Sequence, residues 1–238
     1  MKKRMTKVTA GRLVSVVIYY QPSASDEPAV RAAKQRASSE ARAKINRRYS
    51  WQKLEALLAA NFDGRDLWVT LTYDDAHYPP SRREAVRRLS NYIRALRVAR
   101  GIQGAELLYV KNTESISESG LPGRLHHHMV INGTGDDYDT LLGLWKWGSM
   151  VEIKPLLDGG HTYGDYARYM AKEPPPLGKN GWTPSRNLKR PIRESWVVDE
   201  AMTVAPPPGA HVIERTEQHN GWGEYVYLKY LLPAAKSE

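Results

Sequence analysis

Residues 123–133, GRLHHHMVING, constrain this chain more than any other stretch: a glycine at each end brackets an apolar run that reads as a buried strand carrying three imidazoles. A strand turns alternate side chains to opposite faces. His126 and His128 therefore share one face, and His127 lies on the other with Leu125, Met129 and Ile131. Two imidazoles one strand repeat apart offer a divalent ion two neutral nitrogen ligands on a backbone that strand pairing holds rigid. The competing reading is a core or interface histidine satisfied by a hydrogen bond. Two on one face, with a carboxylate available upstream, favour the metal.

The neighbouring segments supply a sheet for that strand. DLWVTLTYDD (66–75) alternates Leu67, Val69 and Leu71 against Trp68, Thr70 and Thr72, as a central strand does. Ser81 and Glu84 form a capping box opening a helix to about Arg100, with Val86, Leu89, Ile93 and Leu96 as its apolar stripe. AELLYVKNTE (105–114) is a strand with Leu108, Val110, Asn112 and Glu114 on one face; a Gly- and Ser-rich loop leads from it directly into the histidine strand. Antiparallel pairing of the two brings Glu114 or Glu118 to the histidines as an oxygen ligand, with Glu114 favoured. Residues 137–147 read as a short helix and 150–156 as a returning strand. Strand, helix, strand, strand, helix, strand predicts an α+β fold, a central antiparallel β-sheet with helices packed on it in the ferredoxin-like order.

Outside this core the chain is basic. The net charge is +9 with a pI near 9.6, and the excess is concentrated before Arg48. That points to a polyanion, with nucleic acid preferred over an anionic membrane. LVSVVIYY (13–20) reads as a strand at a sheet edge, and Ser25 to Phe62 as a helix or helix pair whose basic residues, Arg47 and Arg48 among them, either follow a phosphate backbone or form a solvated face. Cysteine is absent, which excludes disulfides, thiolate metal sites and a cysteine nucleophile. With no signal-peptide cleavage pattern and no apolar stretch of membrane-spanning length, the expectation is a cytoplasmic protein.

Downstream, Thr162 and Asp165 make a second capping box before YGDYARYMAK, a helix that must end before Pro174-Pro175-Pro176. Tyr166, Tyr169 and Lys172 are each three apart and fall on one face, where tyrosines are more often packing residues. GKNGWTPSRNLKRPIRESW has the composition of a backbone-contacting loop or a surface wrap, and 211–230 reads as a hairpin turning at Asn220-Gly221. The expected organisation is an N-terminal strand and basic helical segment (1–62), a core (63–195) and a C-terminal hairpin extension (196–238).

Together, WVTLTYDD (68–75), GRLHHHMVI and the YMAK helix (169–172) resemble, in order and spacing, the HUH endonucleases. The similarity is to the rolling-circle replication initiators grouped with filamentous-phage gene II proteins, and SRNLKRP (185–191) looks like a further block of the prophage-type members. The resemblance implies a ferredoxin/RRM-like HUH nuclease fold, His126 and His128 as metal ligands with Glu114 as a third, and magnesium or manganese as cofactor. It implies Tyr169 as the nucleophile assisted by Lys172. Tyr166 raises a two-tyrosine enzyme, but paired members space their tyrosines by four and these stand three apart. Arg47, Arg48, Arg124, Arg186, Lys189 and Arg190 are the candidate DNA contacts. The function implied is nicking and rejoining of single-stranded origin DNA through a 5′-phosphotyrosine intermediate, with host helicase and polymerase as partners. The alternatives are a relaxase or transposase of the same superfamily, or a non-catalytic origin-binding protein.

Overall fold

The structure, a computed structural model, describes residues 2–21, 39–116, 121–149, 151–158, 162–173, 181–220 and 223–234. It is an α+β protein with four helices and two five-stranded antiparallel sheets among those residues. The chain divides into two compact units, Met1–Ala60 with Lys189–Glu238, and Asn61–Leu188.

The first unit is built on β1 (Lys2–Ala10), β2 (Leu13–Gln21), α1 (Ser39–Asn61), β8 (Ile192–Val197), β9 (His211–Asn220) and β10 (Gly223–Leu231), with strand order β8-β1-β2-β10-β9. LVSVVIYY is thus not an edge strand but the middle one, paired with β1 on one side and β10 on the other. What sequence reading missed was β1, KKRMTKVTA, whose lysines and threonines hide its strand character. It folds back on β2 through Gly11, at φ +58°, where any larger residue would be strained and its Cβ would lie 3.0 Å from the Ala59 carbonyl oxygen. Of the expected N-terminal helix, residues 22–38 lie outside the described set. Within α1, Leu54 and Leu58 are fully buried and Glu55 forms a buried ion pair with Lys229, Nζ to Oε1 3.1 Å. The expected hairpin forms as β9 and β10, with Asn220 opposite Gly223; Gly221 lies outside the described residues.

The second unit contains β3 (Leu67–Leu71), α2 (Arg82–Ile102), β4 (Tyr109–Ile116), β5 (Pro122–Ile131), α3 (Tyr138–Leu144), β6 (Val151–Pro155), α4 (Gly164–Met170) and β7 (Trp182–Pro184). The sheet order is β6-β3-β5-β4-β7. Alternation divides the sheet as the sequence implied. Val69, Leu71, Leu125, Met129 and Ile131 join Leu89, Tyr92, Ile93 and Leu96 of α2 and Leu141 of α3 in one core. Ser81 Oγ accepts from the Glu84 amide at 3.2 Å, but the Glu84 carboxylate bonds Arg87 and Arg88 rather than closing the box. Val86, expected in the stripe, is 41% exposed: the helix rotates so that Ala85 and Tyr92 take the buried positions. Gly133, which ends the histidine strand, has a packing role, since a Cβ there would collide with the Arg65 carbonyl oxygen.

Two expectations near the C-terminal end of this unit are corrected. The Thr162 capping box does not form: Tyr163 is the N-cap residue, and Thr162 Oγ1 accepts only from the Gly164 amide at 3.3 Å. The stretch around WTPSRNLKRPIRESW is not a loop throughout. Residues 182–184 pair with β4 at the sheet edge, and Ile192–Val197 pair with β1 in the other sheet. Trp, Thr, Ile and Val there satisfy edge pairing despite the flanking prolines and charges.

Candidate metal centre

On the sheet face opposite α2, Glu114 of β4 stands directly across from His126 of β5, and Asn112 and Thr70 flank His128 from either side. Pairing register alone therefore places the carboxylate beside both imidazoles. Glu114 Oε1 lies 2.8 Å from His126 Nε2 and 2.7 Å from His128 Nε2. The ligand atoms of these three residues all fall within 4.8 Å of one another, a group that could hold a metal ion. Glu118, the other carboxylate considered, lies outside the described residues.

The other ring nitrogens are held in place. His126 Nδ1 donates to the Arg124 carbonyl at 2.8 Å, and His128 Nδ1 is 3.1 Å from Thr70 Oγ1. Both Nε2 lone pairs then face the Glu114 carboxylate, and three acceptors at such distances need a shared cation. Glu114 is fully buried, and its Oε2 has no hydrogen-bond partner among the described residues, a donor atom left for an ion. Two neutral imidazoles and a carboxylate suit a divalent transition ion or a harder ion such as manganese or magnesium.

Electrostatics agree with this geometry. Burial works to raise the Glu114 pKa, but the bonds to His126 and His128 outweigh it and hold the carboxylate at about 2. Burial works against charge on both rings: at His126 the Glu114 carboxylate and the Arg124 carbonyl prevail and raise the pKa, whereas at the more deeply buried His128 it falls. Lys172 Nζ stands 3.1 Å from Glu114 Oε1, within ion-pair range, and 3.6 Å from the centre of the Tyr169 ring. Burial opposes its charge, but Tyr169 and Glu114 outweigh that and raise its pKa.

The tyrosine helix α4 covers this face. Asn112 Nδ2 donates to the Met170 carbonyl at 3.1 Å, and the Ser115 amide donates to Glu173 Oε2 at 2.8 Å, while Arg82 pairs with the same Glu173. The half-buried Tyr169 meets His128 edge to face with ring centres 5.0 Å apart, whereas Tyr166 packs on Trp68 at 5.0 Å. Lys172 follows the helix end, its amide bonded to the Tyr169 carbonyl at 3.2 Å. Of the candidate DNA contacts, exposed Arg124 lies beside His126, pairing with Asp75 at 2.7 Å and lying 4.6 Å above the Tyr78 ring. Arg186, Lys189, Arg190 and Arg47 are exposed, and Arg48 pairs with Glu214 at 3.3 Å.

His127 is a core histidine. Tyr73 Oη donates to its Nε2 at 2.7 Å and its Nδ1 donates to Thr113 Oγ1 at 2.8 Å. The residues missed by sequence reading are these two partners, together with Thr70 and Trp68 behind His128. Their strand parity was visible, but their cross-strand neighbours were not. Burial pushes the His127 pKa down to about 3, against 6.5 when unfolded. Because the folded value is the lower, the stability contributed by the neutral ring is complete above pH 6.5. It is lost as the pH falls toward 3, at up to about 1.4 kcal/mol per pH unit. Urea unfolding between pH 7.5 and 4 is expected to show this loss in the wild type and a shallower one in His127→Leu; parallel curves would contradict it.

An antiparallel α+β unit that gathers a buried Glu-His-His cluster on one sheet face defines a candidate metalloprotein. Residues 66–174 match the model of the replication-associated protein family of filamentous-phage gene II-like Rep proteins, and this is the family to which the site-bearing segment belongs. No curated protein and no solved structure matches the chain. No described helix is long and apolar enough to cross a membrane.

Proposed function

We propose that this protein is a metal-dependent HUH endonuclease that initiates rolling-circle replication by nicking and rejoining single-stranded origin DNA. The observation that carries the reading is that Tyr169 and Lys172 come from α4 and its C-terminal turn onto the sheet face where Glu114, His126 and His128 converge. The order β6-β3-β5-β4 is the ferredoxin-like order that such a nuclease requires, with the histidines on an inner strand.

Tyr169 is the nucleophile. Its hydroxyl oxygen bonds to the scissile phosphorus as the bond from phosphorus to the 3′ oxygen breaks; the tyrosine proton is lost and the departing oxygen gains one. The enzyme is then joined to a 5′ phosphate, and a 3′ hydroxyl is free to prime a polymerase. Phenols ionise near pH 10, so attack at neutral pH needs a nearby positive charge, which Lys172 provides. A divalent ion held by Glu114, His126 and His128 supplies Lewis-acid stabilisation of the phosphate oxygens. Arg124, Arg186, Lys189, Arg190, Arg47 and Arg48 hold the DNA backbone, and host helicase and polymerase extend the product.

The test is a set of 3′-end-labelled single strands drawn from the replicon that carries the gene, incubated with the protein and manganese. A denaturant-resistant labelled adduct is expected. Manganese-independent binding with no cleavage of any strand would instead indicate a non-catalytic DNA-binding protein.

Lys172 also competes with the ion for Glu114. Lys172→Met is therefore expected to tighten manganese binding at least about tenfold by calorimetry while slowing adduct formation, since it removes a positive charge close to the ion. Weaker manganese binding in that variant would contradict this role.

A further inference from the structure

Thr70 and Trp68 share the metal face of β3, and among the described residues neither touches Glu114 or His126. Yet the hydrogen bonds around Thr70 are ordered. Trp68 Nε1, which can only donate, donates to Thr70 Oγ1 at 3.2 Å. Thr70 Oγ1 donates to Glu152 Oε2 at 3.4 Å, from the directly paired position on β6. A hydroxyl has one proton and two lone pairs. With the proton given to Glu152 and one lone pair taken by Trp68, the remaining lone pair faces His128 Nδ1 at 3.1 Å and obliges that nitrogen to donate. The Trp68 indole also stacks on the His128 ring, centres 4.9 Å apart and planes 25° apart, and is itself buried. Orientation and proton position of one imidazole are thus both set from β3.

We infer that the Trp68–Thr70–Glu152 chain is a positioning device that holds His128 with its Nε2 lone pair toward Glu114, and that it thereby sets the affinity of the centre for a divalent ion. The inference rests on the metal reading of the site given above. His126 has a backbone carbonyl in the same role, which no side-chain substitution removes, so the device on His128 is the one that variation can tune. Outer hydrogen-bond partners of ligating histidines typically contribute about 10–100-fold to metal affinity.

The test uses the full chain, metal-free after chelation, and manganese as the probe. Thr70→Val keeps the β-branched shape but removes the hydroxyl; Thr70→Ser keeps the hydroxyl. Calorimetric titration is expected to show manganese affinity about 10–100-fold weaker in Thr70→Val and restored to within about threefold of wild type in Thr70→Ser. Long-range proton–nitrogen spectra at pH 8 should show His128 protonated at Nδ1 in the wild type and Thr70→Ser, and a mixture of tautomers in Thr70→Val, a signature that loss of packing alone would not produce. If Thr70→Val binds manganese as the wild type does, or if Thr70→Ser is as weak as Thr70→Val, the positioning role is wrong while the metal centre stands. If the wild type itself takes up no manganese, the metal reading and this inference fall together.

Discussion

Tyr169→Phe is expected to abolish the covalent protein–DNA adduct, lowering strand cleavage by at least about 10³-fold, because removing a covalent nucleophile leaves only the binding contributions to catalysis. Phe keeps the ring that meets His128 edge to face at 5.0 Å and lies under the Lys172 ammonium, so folding and DNA binding should be retained. Tyr166→Phe is the matched control. Its ring packs on Trp68, one helical turn from Tyr169, and cleavage should stay within about threefold of wild type. Denaturing gels with 3′-labelled single-stranded DNA read both variants. Adduct surviving in Tyr169→Phe but lost in Tyr166→Phe would move the nucleophile one turn along α4.

Glu114→Gln should have the next largest effect, removing manganese binding and cutting cleavage by at least about a hundredfold, more than is typical for an outer partner of a ligand. The Glu114 carboxylate oxygen Oε1 meets His126, His128 and Lys172 within 3.1 Å, so this one group carries the negative charge of the centre. A neutral amide cannot offset a divalent charge in a buried site. It can donate to an imidazole lone pair, so the metal-free fold should survive. Thermal unfolding separates these effects. Wild-type protein should gain about 2.7 kcal/mol when manganese is a hundredfold above its dissociation constant, and Glu114→Gln should gain none. A manganese-dependent rise preserved in the variant would remove Glu114 from the centre.

Legibility followed the range of the interactions. Alternation within one strand is local, so the shared face of His126 and His128, the opposite face of His127 and the core made by Val69, Leu71, Met129 and Ile131 could all be read from residue order. Glu114 was reachable one step further, because β4 and β5 are consecutive and antiparallel. The second capping box was misread: Thr162 and Asp165 have the required spacing, but the chain enters α4 through Tyr163. Polar strands were the weakest signal, since β1, β7 and β8 carry too few apolar side chains to stand out from loops.

By itself, then, residue order determined the α+β class, the imidazole pair, its nearest carboxylate and the helix that bears Tyr169. Only the tertiary structure decided that residues 1–60 and 189–238 form one unit, that β2 lies inside its sheet, and that Thr70 and Trp68 stand behind His128 while Tyr73 and Thr113 enclose His127. The reason is physical. Which way a side chain faces along a strand follows from the covalent geometry of its own backbone, whereas which group it meets across the sheet depends on pairings between segments far apart in the chain, and these are settled only when the whole core closes.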